Sequence, residues 1–419
     1  MSKLSHLAET LKGSEIVRLG NDIAERVRNG EKIYNFTIGD FNPHIFPIPK
    51  KLQELIISAY QQHHTNYPPA NGLPELRKGV HEFLKMGEGL DYSPNDILIA
   101  SGGRPLIYAL FRTLVDPGDK VIYGVPSWNN NHYTNMNLGQ HCLIATTPEN
   151  NFMPTAEEIA KNIKDAALLC LCSPQNPTGT TLEREELRKI CDLVIAENES
   201  RKDGEKKLYV MFDQMYWTLT YGDTTHFTPV AVNEKMRDYT IIIGGISKMF
   251  AATGVRVGWA MGPHHVLAKM RSLLSHVGAW APMAEQKAVA QYLLDKEDMM
   301  AYFKDFRAAL ELRLNKFYEG FEQLKSEGFP VDAIAPQAAI YLTVKIDLTG
   351  KTYNGKTLET QADVTGFLLD EAKLALVPFY AFGAPKDSPW YRLSVGTCKL
   401  EEIEPVFENL RNALKKLDH

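Results

Sequence analysis

The sequence is poor in cysteine, with five among 419 residues and no Cys-x-x-Cys pair. An odd number of cysteines without that spacing argues against a disulfide framework and against a zinc site. The 12 histidines show no metal-ligand spacing either, so we predict no bound metal. Free thiols are typical of a reducing compartment, and we therefore expect a cytoplasmic protein.

The sequence also has no excess of positive charge and no long apolar run. Lys and Arg number 46 against 51 Asp and Glu, a formal charge of −5, which argues against a nucleic-acid binder or a membrane-surface protein. No stretch approaches the roughly 18 apolar residues that a membrane span needs, and the N-terminal residues lack the apolar run of a signal peptide. A chain of 419 residues is long enough for two or three domains.

Short apolar runs alternate with helical patterns over residues 46–299. Candidate strands lie at 97–100, 120–123, 142–145, 168–172, 208–212 and 240–244, and helical patterns lie at 105–114, 154–163 and 183–197. Strands made of continuous apolar residues are those that helices cover on both faces. The pattern predicts a large α/β domain with a mostly parallel sheet flanked by helices.

Residues 300–419 show a more mixed pattern, which predicts a smaller α+β domain. A long helical pattern covers 303–324, strand candidates lie at 339–345, 374–378 and 391–395, and further helices lie at 362–372 and 401–417. We expect residues 1–45 to join this smaller domain. Their loop at 39–43 is expected to line a cleft between the two domains.

A lysine stands just after the apolar run at 240–244. Lysines usually lie on solvated faces, so Lys248 alone would be interpreted as a surface charge. The end of a buried strand, however, can desolvate the amine and make it a nucleophile for Schiff-base chemistry. Ser247 and Arg256 flank this lysine and are able to hold an anion, the arginine through its bidentate fork.

Three more polar clusters follow apolar runs. Asn176 lies in a Pro- and Gly-rich turn, which needs no function to explain it. Asp213 ends a strand, where an N-cap is as good an interpretation as a catalytic group. Gly103 and Arg104 begin a helix, whose free N–H groups can bind phosphate. All three clusters, like Lys248, fall at the strand ends where α/β proteins bind ligands.

Taken together, these motifs resemble those of class I/II aminotransferases. The resemblance rests on Ser-Pro-Gln-Asn-Pro-Thr-Gly at 173–179 combined with Ser-Lys-Met-Phe-Ala-Ala-Thr-Gly-Val-Arg-Val-Gly at 247–258. It extends to Tyr-Pro-Pro-Ala-Asn-Gly-Leu-Pro-Glu-Leu-Arg at 67–77 and to Arg-Leu-Ser-Val at 392–395. It covers nearly the whole chain, from about residue 36 to the C-terminal helix.

The resemblance implies fold type I, with a seven-stranded-type sheet in the large domain, and pyridoxal 5′-phosphate as cofactor. Lys248 would form a Schiff base with the cofactor aldehyde and would then move the proton of the substrate α-carbon. Asp213 would pair with the pyridine nitrogen. Asn176 and Tyr216 would donate hydrogen bonds to the phenolic oxygen.

The same resemblance implies the remaining cofactor contacts. Ser247, Arg256 and the N–H groups of Gly103 and Arg104 would hold the phosphate. Trp128 would stack on the pyridine ring, although a core tryptophan is an alternative at such a strand end.

Three further residues complete the implied site. Gly39 would line the substrate pocket, and Arg392 would grip the substrate α-carboxylate. Tyr67 would reach the cofactor of a partner subunit, which implies a homodimer with shared active sites.

The implied function is transfer of an amino group between an L-amino acid and a 2-oxo acid such as 2-oxoglutarate. We expect aspartate or another dicarboxylic or aromatic amino acid as the substrate. A carbon–sulfur lyase that β-eliminates, or an inactive pyridoxal-phosphate sensor, are the alternatives. Departures from the family pattern at Arg104, at 129–132 and at 337–341 leave the substrate open.

Overall fold

The computed structural model describes residues 4–11, 13 and 15–418. Within these residues the α-helices are α1 His6–Thr10, α2 Glu15–Arg28, α3 Lys50–Gln61, α4 Pro74–Glu88, α5 Gly103–Leu114, α6 Asn130–Met136, α7 Ala156–Ala160, α8 Arg184–Ser200, α9 Pro229–Val232, α10 Ile246–Met249, α11 His264–Val277, α12 Met283–Tyr292, α13 Lys296–Ser326, α14 Gln361–Glu371 and α15 Ile403–Leu414. The strands are β1 Tyr34–Asn35, β2 Ile97–Ala100, β3 Lys120–Val125, β4 Gln140–Ala145, β5 Ala166–Cys172, β6 Tyr209–Asp213, β7 Thr240–Gly245, β8 Gly258–Met261, β9 Val331–Ala333, β10 Tyr341–Ile346, β11 Thr352–Tyr353, β12 Lys356–Thr357, β13 Leu374–Ala375, β14 Val377–Pro378 and β15 Trp390–Ser394.

The predicted fold class is confirmed by a seven-stranded sheet in the order β2-β8-β7-β6-β5-β3-β4. Every neighbouring pair is parallel except those of β8, which runs antiparallel to both β2 and β7. The six predicted strands correspond to the six remaining strands of this sheet, β2 to β7. The prediction missed β8, because its four residues follow the lysine motif directly and form no long apolar run.

Side chains of the large sheet are buried on both faces, which explains the continuous apolar runs. In β2, Ile97 and Ile99 pack into one core, while Leu98 and Ala100 pack into the other. Helices α4 and α8 cover the first face, and helices α5 and α11 cover the second. Alternation with a period of two is hidden in such a strand because both faces need apolar residues.

A second, antiparallel sheet in the order β14-β15-β10-β9 organises the C-terminal part. Its core includes aromatic residues from the N-terminal segment, among them Phe36 and Phe41, and β1 pairs with β13. Helix α13 belongs to both cores, since Phe303 packs with the large sheet and Phe306 with the small one. The domain boundaries at residues 45 and 299 stay predictions.

Two predicted strands of the C-terminal part have different limits in the structure. The run at 339–345 begins as a strand only at Tyr341, because Ala339 has φ +62° and so lies outside the extended region. The run at 374–378 is divided between β13, which pairs with β1, and β14, which pairs with β15. Apolar composition alone does not show where one strand changes partner.

Across residues 4–11, 13 and 15–418, no helix is both long and apolar enough to cross a membrane. Among these same residues, no group of three His, Cys, Asp or Glu side chains is placed to hold a metal ion.

Candidate active site

A cavity of about 720 Å³ lies at one edge of the large sheet. Strands β3, β5, β6 and β7 run parallel, and β2 shares their direction through β8, so all five end at this edge. All the sequence-predicted site residues except Tyr67 line the cavity. They are Gly39, Gly103, Arg104, Trp128, Asn176, Asp213, Tyr216, Ser247, Lys248, Arg256 and Arg392.

Lys248 lies on α10, the short helix that directly follows β7. Its Nζ donates a hydrogen bond of 2.6 Å to the carbonyl oxygen of Gly39. Burial lowers the pKa of the Lys248 amine to about 8; Asp40 opposes this shift, whereas Arg392 and the other nearby guanidinium groups reinforce it. Half of the amine is therefore neutral at about pH 8, and a nucleophilic amine must be neutral.

Asp213 is the last residue of β6 and lies beside Cys172 of β5 in the strand register. Burial raises the pKa of its carboxyl to about 6, while a hydrogen bond from the Met215 N–H lowers it. Within the described part of the chain, Asp213 forms no ion pair with a lysine, arginine or histidine. A buried carboxylate without a cationic partner favours a ligand that brings a positive group.

The turn between β2 and α5 and the side chain of Arg256 together form an anion cradle. Gly102 has φ +93°, and a Cβ there would collide with the guanidinium of Arg256, so only glycine lets the two approach. Arg256 donates to the backbone oxygens of Ser101 and Thr253 at 2.8 and 2.7 Å. It meets no carboxylate in the described residues, and helix α5 has no side-chain N-cap. An anion at this helix start would find both a cation and free N–H groups.

Arg392 forms a second anion site, on β15 of the small sheet. The residue is 3% exposed, and its guanidinium donates to Asn176 Oδ1 at 3.0 Å and to the Thr37 carbonyl at 2.6 Å. Its Nε has no hydrogen-bond partner, and no carboxylate of the described chain pairs with it. Burial lowers the pKa of Arg392, so a ligand carboxylate would supply the missing counter-charge.

Arg104 differs from these two arginines because it is exposed in the cavity. Its guanidinium carbon lies 4.7 Å from the ring centre of Trp128. It forms no ion pair and no hydrogen bond with any residue that the structure describes. Trp128 also packs against the hydrophobic cluster that contains Phe152 and Phe379, and its stacking on a cofactor ring stays a prediction.

Tyr67 is the one predicted site residue that lies outside the cavity. It is 82% exposed, and its ring packs edge-on against Trp280 with a centroid distance of 5.3 Å. The structure therefore does not bring Tyr67 to the site of its own chain.

Sequence reasoning missed several lining residues. Asp40 lies in the cavity, and its carboxylate accepts a 2.7 Å hydrogen bond from Thr253 Oγ1. Tyr341 contacts the predicted tyrosine, with the Oη atoms of Tyr216 and Tyr341 2.6 Å apart. The loop at 39–43 had been expected at a cleft, but no local signal distinguishes an aspartate there from a loop-forming one.

The family is decided by comparison with known proteins. The family model "Aminotransferase class I and II" matches residues 31–410, most of the chain. This chain is a class I and II aminotransferase. The family recognised from the sequence motifs is thereby confirmed.

Similar proteins cover this aminotransferase almost completely. It is 29% identical over 416 residues to an aspartate aminotransferase of Bacillus sp. (strain YM-2), across 98% of this chain and 99% of that one. It is also 29% identical over 405 residues to an asparagine–oxo-acid transaminase of Streptococcus mutans, across 95% of each chain.

Solved structures give the same picture. Aspartate aminotransferase from Thermus thermophilus with maleate superposes with a TM-score of 0.86 at 27% identity, covering 99% of this chain and 100% of that one. The Rhizobium meliloti aspartate aminotransferase superposes with a TM-score of 0.89 at 24% identity, covering all of both chains. The latter likeness supports the fold alone.

Proposed function

We propose that this aminotransferase uses pyridoxal 5′-phosphate to move the amino group of aspartate, or a related dicarboxylic amino acid, to a 2-oxo acid such as 2-oxoglutarate. One observation carries the proposal. A single cavity holds a desolvated amine, a carboxylate and three guanidinium groups. Among the residues that the structure describes, the carboxylate has no cationic partner and the guanidinium groups have no carboxylate partner. Each of these charges matches one group of the cofactor or of a dicarboxylic substrate.

The charges fit the cofactor at three points. The anion cradle around Arg256 suits the phosphate, and Asp213 suits a protonated pyridine nitrogen. Lys248 suits the aldehyde, and Asn176 and Tyr216 are left to bind the phenolic oxygen. When bound, the cofactor supplies the electron sink that weakens a bond at the substrate α-carbon.

The remaining steps belong to the protein. Lys248 Nζ would carry the proton between the α-carbon and the cofactor, acting as general base and then as general acid. Arg392 would bind the α-carboxylate with two parallel hydrogen bonds. Because Arg392 lies on the small sheet and Lys248 on the large domain, substrate would bridge the two parts and exclude water from the cavity.

Because the pKa of the Lys248 amine is about 8, the covalent binding of cofactor should depend on pH. Below that value Lys248 is protonated and cannot attack an aldehyde; above it the amine is neutral. We therefore expect the rate at which cofactor-free protein binds pyridoxal phosphate covalently to rise up to tenfold per pH unit below about 8 and to level off above it. Stopped-flow absorbance measures this rate, and a flat profile from pH 6 to 9 would contradict the assignment of the amine.

Arg104 supports the choice of a dicarboxylic substrate. The phosphate and the α-carboxylate account for Arg256 and Arg392, which leaves one free guanidinium facing the cavity. A carboxylate on the substrate side chain would pair with it, and the Trp128 ring holds the guanidinium in place. The similar Thermus thermophilus structure is of an aspartate aminotransferase with maleate, itself a dicarboxylate.

Arg104→Gln tests this specificity. A charge-assisted hydrogen bond contributes about 1.5–3 kcal/mol, so kcat/KM for aspartate should fall about 10- to 150-fold, while that for phenylalanine or alanine should not fall. Arg184→Gln is the matched control, since Arg184 also lies over an aromatic ring, that of Phe227, but outside the cavity. An equal loss for aspartate and alanine would assign Arg104 to the phosphate instead.

We further propose that two copies share their active sites through Tyr67. The support is its large exposed ring beside Trp280, whose indole N–H has no partner in the described residues. Tyr67→Ala and Lys248→Ala, each inactive alone, should regain part of the activity when refolded together, because one mixed site keeps both residues. Full activity from a protein that light scattering shows to be monomeric would refute the shared site.

A further inference from the structure

Tyr341, the first residue of β10, is a buried tyrosine to which the proposed function gives no role. Its Oη lies 2.6 Å from Tyr216 Oη, and the two rings meet edge to face with a centroid distance of 5.5 Å. Tyr216 follows β6 of the large sheet, whereas Tyr341 belongs to the small sheet. The hydrogen bond between these two phenols therefore links the large sheet directly to the small one.

We propose that Tyr341 is a positioning residue that holds Tyr216 as a hydrogen-bond donor toward the cofactor's phenolic oxygen and links that donor to the carboxylate-binding Arg392. The inference rests on the proposed cofactor site and deepens it.

The direction of the hydrogen bond between Tyr216 and Tyr341 follows from the proposed role of Tyr216 as a donor to the cofactor. A phenol has one proton, so if Tyr216 donates it to the cofactor, its own oxygen must accept from Tyr341. Burial raises the pKa of both phenols, so both keep their protons near neutral pH. A donor that itself accepts a hydrogen bond is polarised and donates more strongly.

Tyr341 has close neighbours on two sides. A Cβ on Gly39 would lie 2.8 Å from its Oη, so the backbone of Gly39 closes one side. The Arg392 guanidinium carbon lies 4.7 Å from the ring centre and closes another. A shift of Arg392 toward a bound carboxylate would therefore move Tyr341 and, through the hydrogen bond between the two phenols, Tyr216.

Arg392, Cys172 and Asp40 are the other ionisable groups that influence this pair, with Lys248 Nζ 5.9 Å from the Tyr216 ring centre. None of them is changed in the variants below. Tyr221 offers a matched control because it is also buried and its hydroxyl donates to the backbone oxygen of Ala339, but it does not line the cavity.

The test compares the loaded enzyme with Tyr341→Phe, Tyr221→Phe, Tyr216→Phe and the double variant Tyr216→Phe/Tyr341→Phe. For each protein, the absorbance of the bound cofactor is measured as a function of pH, and the pH at which half of the change has occurred is the midpoint. Tyr341→Phe leaves Tyr216 in place but weakens it as a donor, which raises the proton affinity of the anionic oxygen. The midpoint of the absorbance titration in Tyr341→Phe should therefore rise by about half to one pH unit. The kcat should fall about two- to tenfold, and Tyr221→Phe should keep the wild-type midpoint.

The double variant decides whether Tyr341 acts through Tyr216. If it does, adding Tyr341→Phe to Tyr216→Phe shifts the midpoint no further; an additive shift would overturn the proposal. An unchanged midpoint in Tyr341→Phe would overturn it as well, whatever the activity. If the unmodified protein showed no bound cofactor to titrate, the proposed function itself would fail, which is a different result.

Discussion

Lys248→Ala should reduce transamination by about 10⁴-fold or more while leaving a folded protein. The lysine is both the group that would hold the cofactor and the group that would move the α-proton, and a positioned general base alone accounts for about 10²–10⁴-fold. Folding should not suffer, because a buried amine with a pKa of about 8 is held against its preference for water.

The measurement is kcat of the purified variant with aspartate, alongside circular dichroism to check the fold. Lys189→Ala is the matched control, since Lys189 is half exposed and pairs with Glu186 on the same helix, α8. Activity within tenfold of the unmodified enzyme would remove Lys248 from the mechanism.

Asp213→Asn should be the next most damaging change, with kcat lower by about two to four orders of magnitude. Removing one partner of a buried ion pair costs about 3–5 kcal/mol, and each 1.36 kcal/mol is a factor of ten in rate. The asparagine keeps the shape of the carboxylate and its hydrogen bond from Met215. What it loses is the charge that would keep the pyridine nitrogen protonated.

A pH series separates this role from a merely structural one. With a pKa of about 6, Asp213 is ionised above that pH and protonated below it. Cofactor affinity in the unmodified protein should therefore weaken further as the pH falls below about 6, and Asp213→Asn should bind more weakly and lack this additional step near pH 6. The exposed Asp192, paired with Arg188, provides Asp192→Asn as control. Near-normal kcat in Asp213→Asn would make this residue only a strand-end cap.

The large sheet was predictable because its strands are continuous apolar runs between helical patterns, and both signals are local. Strand β8 was not predictable, because its four residues show no strand pattern of their own. They form a strand because they pair with β2 on one side and β7 on the other. The break between β13 and β14 was missed for the same reason. Pairing with β1, more than 330 residues away in the chain, decides it.

The site was predictable where a polar residue ends a buried strand, as Asp213 does, or lies in the first turn after one, as Lys248 does. Parallel strands bring such ends to one edge, so their meeting follows from the fold class. Gly39 and Arg392, which reach the cavity from the N-terminal segment and the small sheet, followed only from the family resemblance, and the nearby Asp40 and Tyr341 were given no role. Only the packing of distant segments places them there, and the roles of all these residues stay predictions.

The central claim is tested most directly by a single turnover with aspartate in the absence of any 2-oxo acid. We expect each active site to release one equivalent of oxaloacetate, while the bound cofactor changes once from its aldehyde form to its amine form and no ammonia appears. No oxaloacetate from aspartate would contradict the account. If, in addition, an amino acid with a thioether at its β-carbon released a thiol, a 2-oxo acid and ammonia continuously while the cofactor kept its aldehyde form, the protein would be an eliminating lyase.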